Sequence, residues 1–290
     1  MYDTIIIGSG PSGVSAAVYL KRSGFDVLVL STNDSALKKA KIIENYYGFP
    51  EITGKELYDL GIKQLEHLNI PFDITEVLNI KSDYQTTPKF TIETTSDSFF
   101  AKSIILATGT SRSIPMISNI KDYIDTNISF CAICDGFFYR NQDVYVLGYG
   151  PYALSEAHEL QHIAKSVTIL TNGETPTFTL SNEIKVETRK IKKFLGDKKL
   201  EEIEFEDDTK IKVPGLFVAW KTPGAYEFSR KVGLEFSDNH LVVTDKMETS
   251  VKGIFACGDI LEQPYQVNKA VYEGMIAATS ISEYLKRKPD

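Results

Sequence analysis

Cys131 and Cys134 stand three residues apart in FCAICDG, residues 130–136, and are two of the three cysteines in 290 residues. That spacing sets two sulfurs one helical turn apart, close enough to bond. A nearby helix N-terminus would stabilise the thiolate that exchange chemistry requires. Asp135 follows directly. A carboxyl beside the pair and shielded from water would have its pKa raised and could pass a proton to or from a leaving thiolate; capping a helix is the other role open to it. Zinc is the rival use of two cysteines, but a structural zinc wants four ligands. The chain offers one further cysteine and four scattered histidines, with no second pair at ligand spacing. Cys257, in FACGD, ends an apolar run with no thiol near it in sequence and reads as packing.

Such a switch needs elements to position it and a source of electrons. At 290 residues with 42% hydrophobic residues the chain fits two domains. A net charge of -7 argues against general nucleic-acid binding. The opening MYDTIIIGSG carries no basic n-region, and no stretch is long and apolar enough for a bilayer. With so few cysteines the expected setting is a reducing cytoplasm, where a lasting structural disulfide is not expected.

The start reads as a βαβ unit: apolar strand, glycine turn, helix with small residues on one face, Gly24, second apolar strand. Gly8, Gly10 and Gly13 form G-x-G-x-x-G, whose backbone can approach a pyrophosphate at a helix N-terminus. DVYVLGYGPYALSEAHELQHIAKSVTIL repeats the plan, with Gly148, Gly150 and Ala153 at the glycine positions. Each unit is followed by short alternating runs that read as hairpins. The C-terminal stretch from Val251 has no glycine loop of its own and ends in an amphipathic helix that needs a sheet to cover. The fold class expected is therefore α/β, with two Rossmann-like three-layer domains, the second inserted in the first.

GSGPSG, IENYYGFPEITGKEL at 43–57, ILATG at 105–109, FCAICDGFFYR at 130–140 and GIFACGD at 253–259 occur here in that order. In this the chain resembles the low-molecular-weight thioredoxin reductases over nearly its whole length. The resemblance implies an FAD-binding domain made of 1–111 and 244–290, and an inserted domain, 112–243, that in the family binds NADPH and carries the redox cysteines. It implies that Gly8, Ser9, Gly10, Pro11, Ser12 and Gly13 cradle FAD with Thr108 and Gly109. Gly258 and Asp259 would hold the ribityl and phosphate region, Asn45 would lie near the isoalloxazine, and Gln266 and Val267 near its pyrimidine edge. It also implies a homodimer, proton transfer by Asp135, attack on thioredoxin by Cys131, and Cys134 facing the flavin, with domain rotation to expose the pair. Two departures stand out: Ser35, Ala36 and Leu37 replace the usual Gly-Gly-Gln, and Tyr265 replaces the usual arginine.

The two copies can be compared with each other. GSGPSG becomes GYGPYA, so Tyr149 and Tyr152 stand where a pyrophosphate needs close backbone approach. Pro151 is no part of this, since Pro11 holds the same place and proline suits the first helical position. At the end of the second strand, where the family's NADPH enzymes carry a histidine and arginines, stand Thr171, Asn172, Gly173 and Thr177. No Lys or Arg lies between Lys165 and Lys185, which leaves a 2'-phosphate without a partner. NADH would want an acid at that strand end, and Glu174 comes only three residues after Thr171. Ala107-Thr108-Gly109 of the first copy becomes Ala219-Trp220-Lys221.

An FAD that lacks a hydride donor can still accept single electrons in turn, and ferredoxin is the carrier expected to supply them. Between about -400 mV for a plant-type ferredoxin and about -270 mV for thioredoxin lies roughly 130 mV, or about 6 kcal/mol per electron pair. The pattern resembles the ferredoxin-dependent flavin thioredoxin reductases. Lys38, Lys39 and Lys41 in LKKAK are candidates to steer an acidic ferredoxin. The expected partners are thus ferredoxin as donor and thioredoxin as acceptor. An ordinary NADPH or NADH thioredoxin reductase, a dithiol oxidase using oxygen and a flavin-bound redox sensor remain as rivals; the oxidases commonly carry histidine where Asp135 stands.

Overall fold

Apolar runs rich in Ile, Val and Leu, each leading through a glycine turn into a helix, favour parallel strands buried on both faces by helices. The computed structural model describes residues 1–83, 89–109, 114–124, 126–179, 184–220, 225–237 and 240–287. Its helices are α1 (Pro11–Arg22), α2 (Gly54–His67), α3 (Ala132–Asp135), α4 (Pro151–Gln161), α5 (Ala225–Val232) and α6 (Val267–Lys286). The strands begin β1 (Tyr2–Ile7), β2 (Val27–Ser31), β3 (Phe72–Ile74), β4 (Val77–Asp83), β5 (Lys89–Thr94) and β6 (Ser98–Leu106). They continue β7 (Ile128–Ser129), β8 (Asp143–Leu147), β9 (Ser166–Leu170), β10 (Lys185–Glu187), β11 (Ile191–Leu195) and β12 (Glu202–Phe205). The last are β13 (Lys210–Lys212), β14 (Gly215–Val218), β15 (Phe236–Ser237), β16 (His240–Leu241) and β17 (Ile254–Ala256). Among the described residues no helix is long and apolar enough to cross a membrane.

The chain divides into two compact units, Met1–Ser111 with Gly224–Asp290, and Arg112–Pro223. In the first, a seven-stranded sheet runs β3-β2-β1-β6-β5-β4, with β17 also paired to β6. β1, β2, β3, β6 and β17 are parallel, while β4, β5 and β6 form an antiparallel meander. Ile5, Ile6, Leu28 and Val29 are wholly buried, as expected of strands covered on both faces. Helices α1 and α6 approach at glycine distance: a Cβ on Gly274 would sit 2.2 Å from the carbonyl oxygen of Ser12. Thr53 and Glu56 close a capping box at the start of α2, which fixes where that helix begins.

The second junction falls earlier than the sequence suggests. Residues 224–243, expected in the insert, belong to the first unit. Helix α5 explains it, because Phe228 is buried in the core that holds Ile80, Phe90 and Leu241, and the Lys231 ammonium donates to the Leu78 carbonyl at 3.1 Å. An eight-residue amphipathic helix carries no sequence mark of which sheet it will cover.

Glu76, between β3 and β4, is largely buried, and desolvation pushes its carboxyl up to about 7 from an ordinary value of 4.5. The native state therefore holds a proton that the unfolded chain has released, and stability falls as pH rises from about 4.5 through about 7. The loss across that window should be up to about 3 kcal/mol. Urea unfolding midpoints of Glu76→Gln should be flatter with pH than those of the parent.

In the second unit the parallel sheet runs β10-β9-β8-β14-β7, and β11-β12-β13 form a separate antiparallel sheet. The β8-α4-β9 unit repeats β1-α1-β2 down to its hydrogen bonds. Gly8 N–H donates to Leu30 at 2.8 Å and Gly148 N–H to Leu170 at 3.0 Å; Ala107 N–H donates to Ile7 at 2.8 Å and Ala219 N–H to Leu147 at 2.9 Å.

Candidate active site

Both units place their chemistry at the carboxyl ends of parallel strands, where chain reversal leaves backbone amides and side chains free to meet a ligand. In the first unit β1 leads into Gly8 at φ +115°, and a Cβ there would lie 2.2 Å from the Ala107 carbonyl oxygen. A Cβ on Gly13 would lie 2.0 Å from the Gly8 carbonyl oxygen, so the turn closes only with glycine at both places. Gly10 precedes α1, Pro11 is its first residue, and no side chain caps that N-terminus. Ser9 turns inward, bonding the hydroxyls of Ser31 at 2.8 Å and Tyr58 at 2.6 Å, so it braces the turn from beneath.

The neighbouring strand ends supply the remaining residues. Thr108 and Gly109 follow β6; the Thr108 hydroxyl is buried without a hydrogen-bond partner, and Gly109 has φ +70°. After β17, Gly258 at φ +87° lies so close to Ser12 that a Cβ would be 2.4 Å from its Oγ. Gly258 N–H donates to the buried Glu273 carboxylate at 2.9 Å. Asp259 is half-buried, and desolvation pushes its carboxyl up, countered by Lys269. The Asn45 amide donates to Gln266 at 3.0 Å and the Asn268 amide to the Asn45 carbonyl at 3.1 Å, just where Val267 begins α6. Sequence reasoning missed Tyr58, Asn268 and Glu273. Only the helical spacing of Glu273 from Lys269, 2.8 Å apart, could have hinted at one of them.

In the second unit Cys131 and Cys134 are joined by a disulfide. Cys131 caps α3, its Sγ accepting the Cys134 N–H at 3.2 Å; it is wholly buried, while Cys134 is partly exposed. Asp135 makes no cap. Its carboxylate accepts the Ser129 hydroxyl at 2.7 Å, and that same hydroxyl accepts the Cys131 N–H at 3.1 Å. Ser129 thus ties the carboxyl to the first cysteine, a link its position two residues before Cys131 could have suggested. Cys257 is buried in the other unit, and burial pushes its thiol up to about 12, which keeps it out of exchange near neutral pH.

The second glycine turn is differently furnished. The Tyr149 ring meets Trp220 edge to face, with centroids 5.0 Å apart. Thr177 folds back so that its N–H donates to the Tyr149 carbonyl at 2.8 Å. Tyr152 is wholly buried, its hydroxyl 3.4 Å from the Phe130 carbonyl beside the disulfide. Thr171 is buried and Glu174 exposed, and Lys221 lies outside the described residues. One expectation needs amending. The sequence places no cation near the end of β9, yet the fold lays the Lys190 side chain about 3.5 Å from where a Gly173 Cβ would be. Lys190 is ion-paired with Glu206 at 3.0 Å, and Arg189 with Glu187 and Asp207.

The sequence profile of the family described as pyridine nucleotide-disulphide oxidoreductase matches residues 2–274. The chain belongs to this family. Thioredoxin reductase of Ureaplasma parvum is 33% identical to this pyridine nucleotide-disulphide oxidoreductase, over 99% of the chain and 98% of its own length. The crystal structure of an atypical thioredoxin reductase from Desulfovibrio vulgaris Hildenborough superposes with a TM-score of 0.90 at 35% identity, covering 99% and 98% of the two chains. A ferredoxin-flavin thioredoxin reductase from Clostridium acetobutylicum gives 0.71 at 30% identity, covering 97% of each.

This member is a flavin disulfide oxidoreductase of the thioredoxin reductase group, and FAD is its cofactor. The first unit fits that group. Its turn admits no side chain at Gly8 or Gly13, its α1 N-terminus is uncapped, and the buried Thr108 hydroxyl lacks a protein partner among the described residues.

Proposed function

We propose that the protein reduces thioredoxin through Cys131 and Cys134 with electrons from ferredoxin, not from NADPH or NADH. The observation that carries the choice of donor is the Tyr149–Trp220 pair over the second glycine turn, closed by Thr177 on the Tyr149 carbonyl. A pyrophosphate binds such a turn through close backbone approach, and here aromatic bulk and the loop that returns at Thr177 lie against that backbone. The likeness to a ferredoxin-flavin thioredoxin reductase agrees with this reading.

Gly8, Ser9, Gly10, Pro11, Ser12, Gly13, Thr108, Gly109, Gly258 and Asp259 would hold FAD, with Asn45, Gln266 and Val267 at its ring end. FAD, when bound, supplies a two-electron store that can be filled one electron at a time. The protein's own residues then act on thioredoxin. Reduced Cys131, as thiolate, would attack the thioredoxin disulfide; one thioredoxin sulfur leaves and takes a proton, which Asp135 would supply. Cys134 then attacks Cys131 in the mixed disulfide, releasing the second thioredoxin thiol and restoring the Cys131–Cys134 bond. Cys131 is buried in this state, so it must be uncovered before it can meet thioredoxin.

Among the lysines suggested for ferredoxin, Lys39 and Lys41 are exposed. Lys38 is tied to Asn33 at 2.6 Å and lies over the Tyr58 ring, a bracing role that removes it from a landing surface. The second reading is a pyridine nucleotide donor, favoured by the family and by Lys190 beside Gly173. Anaerobic mixing of the holoenzyme separates the two. Reduced ferredoxin should drive insulin-coupled thioredoxin reduction, while NADPH and NADH should leave the flavin absorbance unchanged over minutes. Rapid bleaching by either nucleotide would overturn the ferredoxin reading.

A further inference from the structure

The first of the two residues between the cysteines carries an unexpected partner. Ala132 N–H donates to the carboxylate of Glu156 at 2.7 Å, a contact across 24 residues from α4 to the first amide of α3. Glu156 is 1% exposed. The other amides around Cys131 have nearby acceptors: its own N–H goes to Ser129, Cys134 N–H to the Cys131 Sγ, and Asp135 N–H to the Cys131 carbonyl at 3.1 Å. In a C-x-x-C turn such amides would otherwise lend their positive ends to the first cysteine's thiolate. Here one of them, the amide that directly follows Cys131, is held by a buried carboxylate.

We propose that Glu156 is a positioning residue that keeps the Cys131–Cys134 couple strongly reducing by setting a negative charge against the thiolate formed when the disulfide opens. The proposal rests on Cys131 and Cys134 being the redox pair. Opening the disulfide takes two electrons and, where Cys131 stays a thiolate, one proton; a neighbouring anion disfavours that product, and like charges close together in a low-dielectric setting interact strongly. In its ionised form, which donation from the Ala132 N–H favours, Glu156 therefore biases the pair toward handing electrons onward. The same contact anchors α3 on α4, so the bias and the geometry come from one bond. The other titratable groups on the packed elements are Asp135, held by Ser129, and Tyr139 after the pair, Tyr152, His158 and Glu159 on α4, and Asp143 and Tyr145 on β8. Among them His158 is exposed, its ring bonded to Gln161.

Glu156→Gln keeps the volume and an acceptor oxygen for Ala132 N–H but removes the charge. The test equilibrates the FAD-loaded protein in buffers of oxidised and reduced dithiothreitol and counts free thiols by alkylation and mass spectrometry. E156Q should shift the equilibrium about tenfold toward the dithiol, about 30 mV for two electrons. The pH profile of Cys131 alkylation in the reduced protein should move to lower pH by about one unit. Asp135→Asn, titrated in parallel, separates the two carboxyls. An E156Q protein matching the parent in both equilibrium and profile would overturn the proposal and leave Glu156 a structural anchor. Should E156Q not give holoenzyme, Glu156→Asp draws the charge back by one methylene and should shift both readouts the same way by less; no movement there overturns it equally. Neither measurement uses thioredoxin or a physiological donor, so its failure is distinct from failure of the proposed function.

Discussion

Replacing Cys134 by serine should lower thioredoxin reduction by about four orders of magnitude or more, the scale of losing an obligatory covalent nucleophile. The FAD should stay bound. Cys131 can still attack thioredoxin in that variant, but the mixed disulfide has no second thiol to resolve it, so turnover stops after one event. Cys131→Ser should lose as much for the opposite reason, since nothing attacks, and the double variant should be no worse than either single one. The third cysteine cannot substitute, because Cys257 is buried and its thiol is pushed up to about 12. Insulin-coupled turbidity with reduced ferredoxin reads the rate, and visible absorbance reads the retained flavin. A single-cysteine variant that kept even a few per cent of the parent rate would mean electrons reach thioredoxin by a route that bypasses the pair.

The second large effect concerns the flavin cradle. Gly13→Ala would set a Cβ 2.0 Å from the Gly8 carbonyl oxygen and 3.4 Å from the Ala107 Cβ. Two of the groups in that crowding are fixed backbone or buried packing, so the turn must open. Overpacking of this kind costs about 1–3 kcal/mol, which is roughly 5- to 150-fold in cofactor affinity if borne by the bound state. Purified Gly13→Ala should carry less than about a tenth of the parent's flavin per chain after dialysis. The second copy supplies the control. Ala153 occupies the matching position in a turn where Gly148 is not held at positive φ, whereas Gly8 is at +115°. Ala153→Gly should leave flavin content unchanged, and equal loss in both variants would point to general instability.

What the sequence determined by itself is local. Steric freedom at Gly8 and Gly13, the three-residue spacing of Cys131 and Cys134, and the alternation of apolar runs with helices act over a few residues and leave their mark in composition and period. They suffice for two Rossmann-like units and a bonded cysteine pair. The tertiary structure decided whatever depends on which surface a segment covers: α5 on the first sheet, Glu156 on the Ala132 amide, Lys190 beside Gly173, Lys38 turned onto Tyr58. Asn45 and Gln266 are 221 residues apart yet share a hydrogen bond. Contacts of that kind arise because burial is non-directional and gathers segments by fit. No short window of sequence states which distant polar group will be brought within 3 Å of which amide.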